Sequence, residues 1–433
     1  MKMSLFKGIL LTVFGFSALV GLFVFATYSN NNSNKGEVGP VVIWGTLPKE
    51  GIQAMLTAAA QTDVTLKSVS YVQKYPTTLS SDLASAIATG VAPDLVLASQ
   101  EELLALTKFI TPIPLGTLSA STFQNTFIDG AGVFALSGGY YGIPFLVDPL
   151  VLFVNRSILA SSGIAKPPET WEALTGLVPN IAVLSPTRQI KRGLIALGTY
   201  NNVHNARGIL SSLFLQTGVP LSSYSTTGVL SANLGATASS GPAPGQAVVG
   251  FYTQFADPSK VSYTWNVSLP DSQQSFSVGD LALYLGYMSE ARYLRSANPN
   301  LNFSVAPLPQ PATAKGKSTY GLIYSLMIPR GAKNPAGAYQ VASLLASSSA
   351  QPAAAAYTGL VPVNLNVLAV APADPATAVA YAEALYTRGW LSPAPSDTNA
   401  VFSGMISSVI SGRSTLEAAL GSAERSLSAL LQQ

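Results

Sequence analysis

From Val41 onward, short apolar runs alternate with amphipathic segments, in the periods of strands and helices in turn. Val41-Val42-Ile43-Trp44 reads as a short buried strand stopped by Gly45-Thr46, and residues 49–62 follow as a helix. A second strand is expected over 64–72. Leu79, Leu83, Ala86 and Ile87 then share one helical face, Gly90 supplies the stop, and Pro93-Asp94 leads into the strand Leu95-Val96-Leu97-Ala98. This β-α-β-α-β order predicts a mostly parallel, doubly wound sheet, whose ligands gather at the carboxyl ends of strands.

Further along, Tyr141-Gly142-Ile143-Pro144 precedes the apolar run 145–154, which only Asp148 interrupts. Pro167-Pro168-Glu169 leads to a helix capped by Thr170. Ile209, Leu210, Leu213 and Phe214 form an amphipathic segment, followed by a Ser/Thr/Gly/Pro-rich loop through Gly245. Ser414 with Glu417, just past Gly412, reads as the capping box of the last helix. No repeat of fixed period is present.

A single run, residues 8–28, is long and apolar enough to span a bilayer. Lys2 and Lys7 precede it, so the positive-inside rule keeps that end in the cytoplasm and exports the remainder. The run exceeds the apolar core of an ordinary signal peptide, so one uncleaved transmembrane helix is expected; cleavage after Val24-Phe25-Ala26 is the alternative. Residues 29–36 then form a short polar tether. The expected localisation is the cell membrane, with residues 1–37 as anchor and tether and the rest on the extracytoplasmic side.

Composition narrows the chemistry. The chain is 48% hydrophobic and 10% charged, which excludes disorder. The uncharged stretches 208–256 and 334–373 are diluted by Ser, Thr, Gly, Gln and Pro and do not read as membrane spans. The 23 basic and 20 acidic residues form no dense basic cluster, so nucleic acid is not an expected partner. Zero cysteines exclude disulfides, thiolate metal sites, a Cys nucleophile and a lipid-bearing N-terminal Cys. His204 is the sole histidine and reads as a surface or capping residue, so neither a metal nor a cofactor is expected. No Ser has the glycines of a nucleophile elbow. Gly316-Lys317-Ser318 lacks the first glycine of a phosphate loop, Pro311 standing there instead.

Several segments carry a family resemblance, in order along the exported part. They are Val42-Ile43-Trp44, residues 86–96 (Ala-Ile-Ala-Thr-Gly-Val-Ala-Pro-Asp-Leu-Val), Tyr141-Gly142-Ile143-Pro144, Leu152-Phe153-Val154-Asn155-Arg156, and Gly163-Ile164 with residues 167–174. Residues 276–283, 328–335 and 359–363 complete the set. Together they resemble the extracellular solute-binding proteins of ABC importers, of the sugar-binding, maltose-binding-protein-like group. The resemblance implies an α/β periplasmic-binding-protein fold: two doubly wound lobes joined by a multi-strand hinge, with the ligand in the cleft between them. Lobe one would take residues 38–148 plus 305–360, and lobe two 149–304 plus 361–433, with a first crossing at Asp148-Pro149. It further implies a small solute, a sugar above all, passed to ABC permease subunits without chemistry. Two alternatives stand beside it: a ligand-less envelope scaffold on the same fold, and a secreted glycosidase whose two carboxylates lie far apart in the chain.

Sugars stack their C–H faces on aromatic rings and pair their hydroxyls with polar side chains. The strand-end positions therefore supply the expected ligand-binding residues: Trp44 and Thr46, then Ser99 and Gln100, with Tyr75 nearby. Asp148, a lone charge in an apolar run, is expected either to face the ligand or to hold a structural hydrogen bond. Asn201, Trp265, Tyr287, Tyr320, Tyr324 and Trp390 complete the set. Each has a plainer reading: core packing for Trp44 and Trp390, a helix cap for Ser99 or Gln100, a surface loop for Tyr75.

Overall fold

The computed structural model describes residues 38–236 and 243–432; the expected membrane helix and its tether lie outside these residues. Strand β1 (Val41–Gly45) pairs in parallel with β2 (Val69–Gln73) and with β3 (Leu95–Ser99). Between them, helix α1 (Lys49–Thr62) buries Ile52, Met55, Leu56 and Ala59, one face at i, i+3, i+4 and i+7 spacing. Helix α2 (Leu79–Ala88) buries Leu79, Leu83 and Ala86 and gives way at Gly90, where φ is +71°.

The strand expected from residue 64 begins later. Asp63 accepts a hydrogen bond from the Thr65 amide at 2.9 Å and curls Val64–Ser68 into a 3-10 turn. Asp94 is buried and ties two distant segments, accepting from the Val42 amide at 3.0 Å and the Asn334 amide at 2.9 Å.

The centre of the molecule is β4 (Ile143–Asn155), 13 residues buried along their whole length. The other longer strands of the sheet are β5 (Ile190–Ile195), β6 (Leu281–Tyr287), β7 (Phe303–Ala306) and β8 (Thr319–Met327). The principal sheet runs β2-β1-β3-β8-β4-β6-β5. It is mixed: β8 lies antiparallel between β3 and β4, and β6 is antiparallel to β4 but parallel to β5. Parallel pairing holds among β1, β2 and β3 and between β5 and β6, while every pair made by β4 or β8 with the strands named here is antiparallel. Each Leu, Val or Phe buried along β4 contributes about 1.5–3 kcal/mol of burial energy.

Strand β4 belongs to both halves. Residues 143–149 pair with β8, and residues 150–154 pair with β6. The exchange of partners falls between Pro149 and Leu150, and Pro149 has no amide to give to a ladder. Strand β7 pairs with residues 152–155, in the second half, while Val361-Pro362 pairs with Val147 and Leu146, in the first.

The helices that matter below are α3 (Ala206–Leu215), α4 (Pro244–Thr253), α5 (Glu290–Ala297), α6 (Pro335–Leu345), α7 (Gln351–Thr358), α8 (Pro375–Leu385), α9 (Pro395–Ile410) and α10 (Leu416–Leu431). Between α3 and α4 the expected loop contains a two-stranded ladder, Ser222–Tyr224 with Leu230–Ala232. Thr170 caps its helix as expected, accepting from the Ala173 amide. The last helix is capped by Thr415, which accepts from the Ala418 amide, in place of the expected Ser414. No helix of the described residues is long and apolar enough to cross a membrane.

Candidate ligand-binding site

Past the end of β3 the chain turns into the seam between the halves. Gln100 is fully buried and acts as a side-chain rung of the sheet. Its Oε1 accepts from the Ile323 amide at 2.6 Å, and its Nε2 donates to the Gly321 carbonyl at 3.1 Å and to Tyr320 Oη at 3.2 Å. With every polar atom engaged, Gln100 fixes the next residue, Glu101. Tyr320 Oη donates to Glu101 Oε1 at 2.5 Å, and Arg207 Nη2 donates to Glu101 Oε2 at 2.7 Å.

Arg207 lies in the first turn of α3, in the opposite half, so this ion pair crosses the seam. Burial alone would lower the Arg207 pKa; the charge of Glu101 and the nearby tyrosines hold it above its ordinary value. Gly208 lets three groups converge here. A Cβ at that position would lie 2.5 Å from Tyr287 Oη and 3.4 Å from Tyr320 Cδ1. Asn205 does not cap α3; its amide donates to Glu290 Oε1 at 2.8 Å and to Tyr284 Oη at 3.0 Å. Glu290 also accepts from the Tyr287 amide at 2.9 Å and so positions the end of β6.

Beside this network lies a cavity of about 360 Å³, lined by Tyr200, Asn201, His204, Arg207, Tyr287 and Asn399 among others. Its size is at the small end of ligand sites, about 300–1,000 Å³. Tyr200 Oη donates to Asn399 Oδ1 at 2.6 Å, and Ser403 Oγ donates to Asn201 Oδ1 at 3.0 Å, which ties Tyr200 and Asn201 to α9. The wall thus includes phenol rings, amides, one imidazole and one guanidinium, and phenol rings and amides are surfaces that stack on sugar rings and pair with hydroxyls.

Of the twelve residues expected from sequence, Asn201 and Tyr287 line this cavity, and Gln100 and Tyr320 build the network next to it. Asp148 sits beside the partner exchange of β4, where its Oδ1 accepts from the Ser289 amide at 3.0 Å. Burial pushes its carboxyl up to about 7, against the pull of Ser289. Tyr324 is buried in β8 between Ser99 and Leu146, and Ser99 Oγ donates to Glu102 Oε2 at 2.6 Å. Thr46 extends the β1–β3 ladder through its amide. Trp44 is half-buried, with Lys74 Nζ 3.9 Å above its ring and held there by Asp82.

Tyr75, Trp265 and Trp390 lie outside both the cavity lining and the network beside it. Tyr75 is 76% exposed on the surface. Trp265 is enclosed in the second half, its ring against Gly193. Trp390 donates from Nε1 to Ser211 Oγ at 3.2 Å and stacks on Phe402, the packing role.

Glu101, Arg207, Tyr200 and Asn399 escaped the sequence reading, and His204, expected as a surface or capping residue, also lines the cavity. A signal existed for Arg207: apart from His204, it is the sole ionisable residue between Arg192 and Asp257 other than tyrosine, the same pattern that singled out Asp148. Asn399, nearly 200 positions from its partner Tyr200, gave no local signal. His204 pairs at 3.5 Å with Asp271, both substantially exposed. No cluster of three or more metal-ligating side chains occurs among the described residues.

A larger concavity, about 1180 Å³, lies in the second half between Trp171, Phe251, Val248 and the 311–318 connection. Its central polar groups are already paired: Trp171 Nε1 donates to Gln216 Oε1, and Gln216 Nε2 to the Pro309 and Ser318 carbonyls. It offers a solute mostly apolar wall, so the smaller polar cavity is the better candidate for a hydroxylated ligand.

Two α/β halves sharing a long crossing strand, with a polar seam and cavity between them, define the two-lobed class of extracytoplasmic binding proteins. The chain belongs to the bacterial extracellular solute-binding protein family, whose profile matches residues 53–383. A protein of Brucella abortus (strain 2308), named as a candidate binding protein, is 23% identical over 284 residues. That match covers 65% of this chain and 65% of the relative, less than two thirds of its length. Among solved structures, the cyclic α-maltosyl-1,6-maltose binding protein from Arthrobacter globiformis superposes with a TM-score of 0.73 at 16% identity, covering 91% of this chain and 100% of that one. The sugar-binding protein MalE from Xanthomonas citri does so with a TM-score of 0.73 at 18% identity, covering 90% and 97%. At these identities the likeness is one of fold.

Proposed function

We infer that the protein captures a small saccharide between its two lobes outside the cytoplasm and delivers it to the permease of an ABC importer. The observation that carries this reading is the seam itself. Gln100, Glu101 and Tyr320 from one lobe meet Arg207 and Tyr287 from the other beside a polar cavity of about 360 Å³. A ligand seated there touches both lobes, and only such differential contact shifts a two-state equilibrium toward closure. The sugar ligands named for the similar folds from Arthrobacter globiformis and Xanthomonas citri support the same solute class.

The role needs binding and release without chemistry. Lobe one is proposed to comprise residues 38–148 with β8, α6 and α7, and lobe two residues 149–306 with the C-terminal helices. The apolar residues 8–28 would hold the protein at the membrane, near the permease that receives the solute.

A thermal-shift screen with mono- and oligosaccharides, polyols and glycerophosphodiesters tests the reading. A saccharide at a hundredfold excess over its Kd should stabilise the protein by about 2.7 kcal/mol. Silence across the whole panel would move the case to the scaffold alternative.

A further inference from the structure

Arg207 has more donors than its protein partners use. Nη2 is taken by Glu101, whereas Nε and Nη1 are buried without a hydrogen-bond partner in the protein. Buried donors of a charged group are costly to leave unmet. Its charge, by contrast, is already balanced. Glu101 lies 2.7 Å away, itself 5% exposed, and its second oxygen is held by Tyr320. Glu290 stands behind the wall, bonded to the lining residues Asn205 and Tyr287 and to Gln273. Arg207 therefore carries two unmet donors beside the cavity, while its charge is not free for an anion.

We propose that Glu101 and Arg207 act as a selectivity pair: Arg207 donates to neutral hydroxyl or ring oxygens, while Glu101 turns away solutes bearing a carboxylate or phosphate. The pair thus specifies neutral saccharides over uronates and sugar phosphates, and it rests on the saccharide reading above. An anion brought against Arg207 would either share the guanidinium with Glu101, placing two like charges together, or displace it and strand a buried carboxylate. A neutral hydroxyl avoids both. Specificity of this kind works by repulsion as much as by attraction.

The test is a calorimetric comparison of matched pairs: galactose with galacturonate, mannose with mannuronate, and mannotriose with the mannuronate trimer. The wild type should bind at least one neutral member at least about tenfold more tightly than its acidic counterpart, a difference of about 1.4 kcal/mol. Glu101→Gln keeps the shape and the Tyr320 contact but frees the charge of Arg207, so it should shift the ratio toward the acid. Arg207→Lys keeps the charge and loses the fork, so it should weaken neutral binding while keeping the preference. A wild type that binds the acidic member as tightly as the neutral one overturns the selectivity pair while leaving the saccharide reading intact. An unchanged ratio in a folded Glu101→Gln does the same. If no member of any pair binds to the wild type, and the wider saccharide screen is also silent, the saccharide reading falls and takes this proposal with it.

Discussion

Arg207 Nη2 lies 2.7 Å from Glu101 Oε2, across the seam between the two lobes and 106 positions apart in the chain. Both groups are largely withdrawn from water, so the pair is not one of the exposed bridges whose worth is close to nothing. Removing one partner of such a pair leaves the other uncompensated, a loss of about 3–5 kcal/mol in buried cases. Arg207→Met should therefore favour separated lobes. Small-angle scattering should record a larger radius of gyration than for the wild type, and an unchanged value would show that the pair does not hold the lobes together.

Gly208 is the point of closest approach of α3, Tyr287 and Tyr320. A methyl group 2.5 Å from Tyr287 Oη must push the ring away from the cavity wall. Gly208→Ala is expected to weaken solute binding about tenfold or more. Its melting temperature should change little, because alanine is the better helix former at this position. Binding at wild-type strength would mean that Tyr287 is not held against the ligand.

Acid should stabilise this protein, the reverse of the usual carboxylate behaviour. Burial raises Asp148 and Glu102 to about 7 and Glu383 to about 8. Facing these groups are Ser289 and Glu290 at Asp148, Ser99 and Glu101 at Glu102, and Lys317 and Tyr386 at Glu383. The unfolded chain releases the same protons near pH 4. A raised folded pKa gives stability that is complete below the unfolded value and is lost as the pH climbs through the folded one. Thermal stability should therefore fall between about pH 4 and pH 8. Glu383, fully buried and with neither oxygen hydrogen-bonded, is the clearest contributor, worth up to about 5 kcal/mol over that window. Glu383→Gln should flatten the profile, and a melting temperature that rises from pH 5 to pH 8 would contradict the assignment.

Gln351, at the start of α7, is fully buried and stitches three backbone segments. Its Nε2 donates to the Phe145 carbonyl at 2.7 Å, while its Oε1 accepts from the Val363 and Asn364 amides at 3.0 and 2.9 Å. Gln351→Ala leaves these groups unpaired in the core and should cost about 2–5 kcal/mol in urea unfolding. A loss below 1 kcal/mol would mean that the region repacks around the gap.

Much of the first lobe was legible in the sequence because local patterns dictate it. The strands at Val41 and Leu95, the apolar face of α1 and the stop at Gly90 all rest on residues close together in the chain. What local pattern missed was decided by single side chains or by distant partners. Asp63 curled the start of the expected second strand, and Thr415, one residue beyond the expected Ser414, became the cap of α10. The antiparallel joints of the sheet arise because β4 and β8 are shared by segments far apart.

Of the residues picked by strand-end reasoning, Asn201 and Tyr287 line the candidate cavity and Gln100 and Tyr320 stand next to it. It also drew in Trp265 and Trp390, since an aromatic at a strand end looks the same whether it faces a cleft or a core. Glu101 and Arg207 become meaningful only as a pair, and the distance between them in the chain hides the pairing.

The central claim is that a saccharide binds between the lobes against Arg207 and Tyr287. Isothermal titration of the wild type and Arg207→Met with the saccharide giving the largest thermal shift tests it most directly. A saturable one-to-one isotherm with the wild type, weakened at least about tenfold in a folded Arg207→Met, is the expected result. Equal affinity in the two proteins, or no heat of binding from any saccharide in the panel, would contradict it.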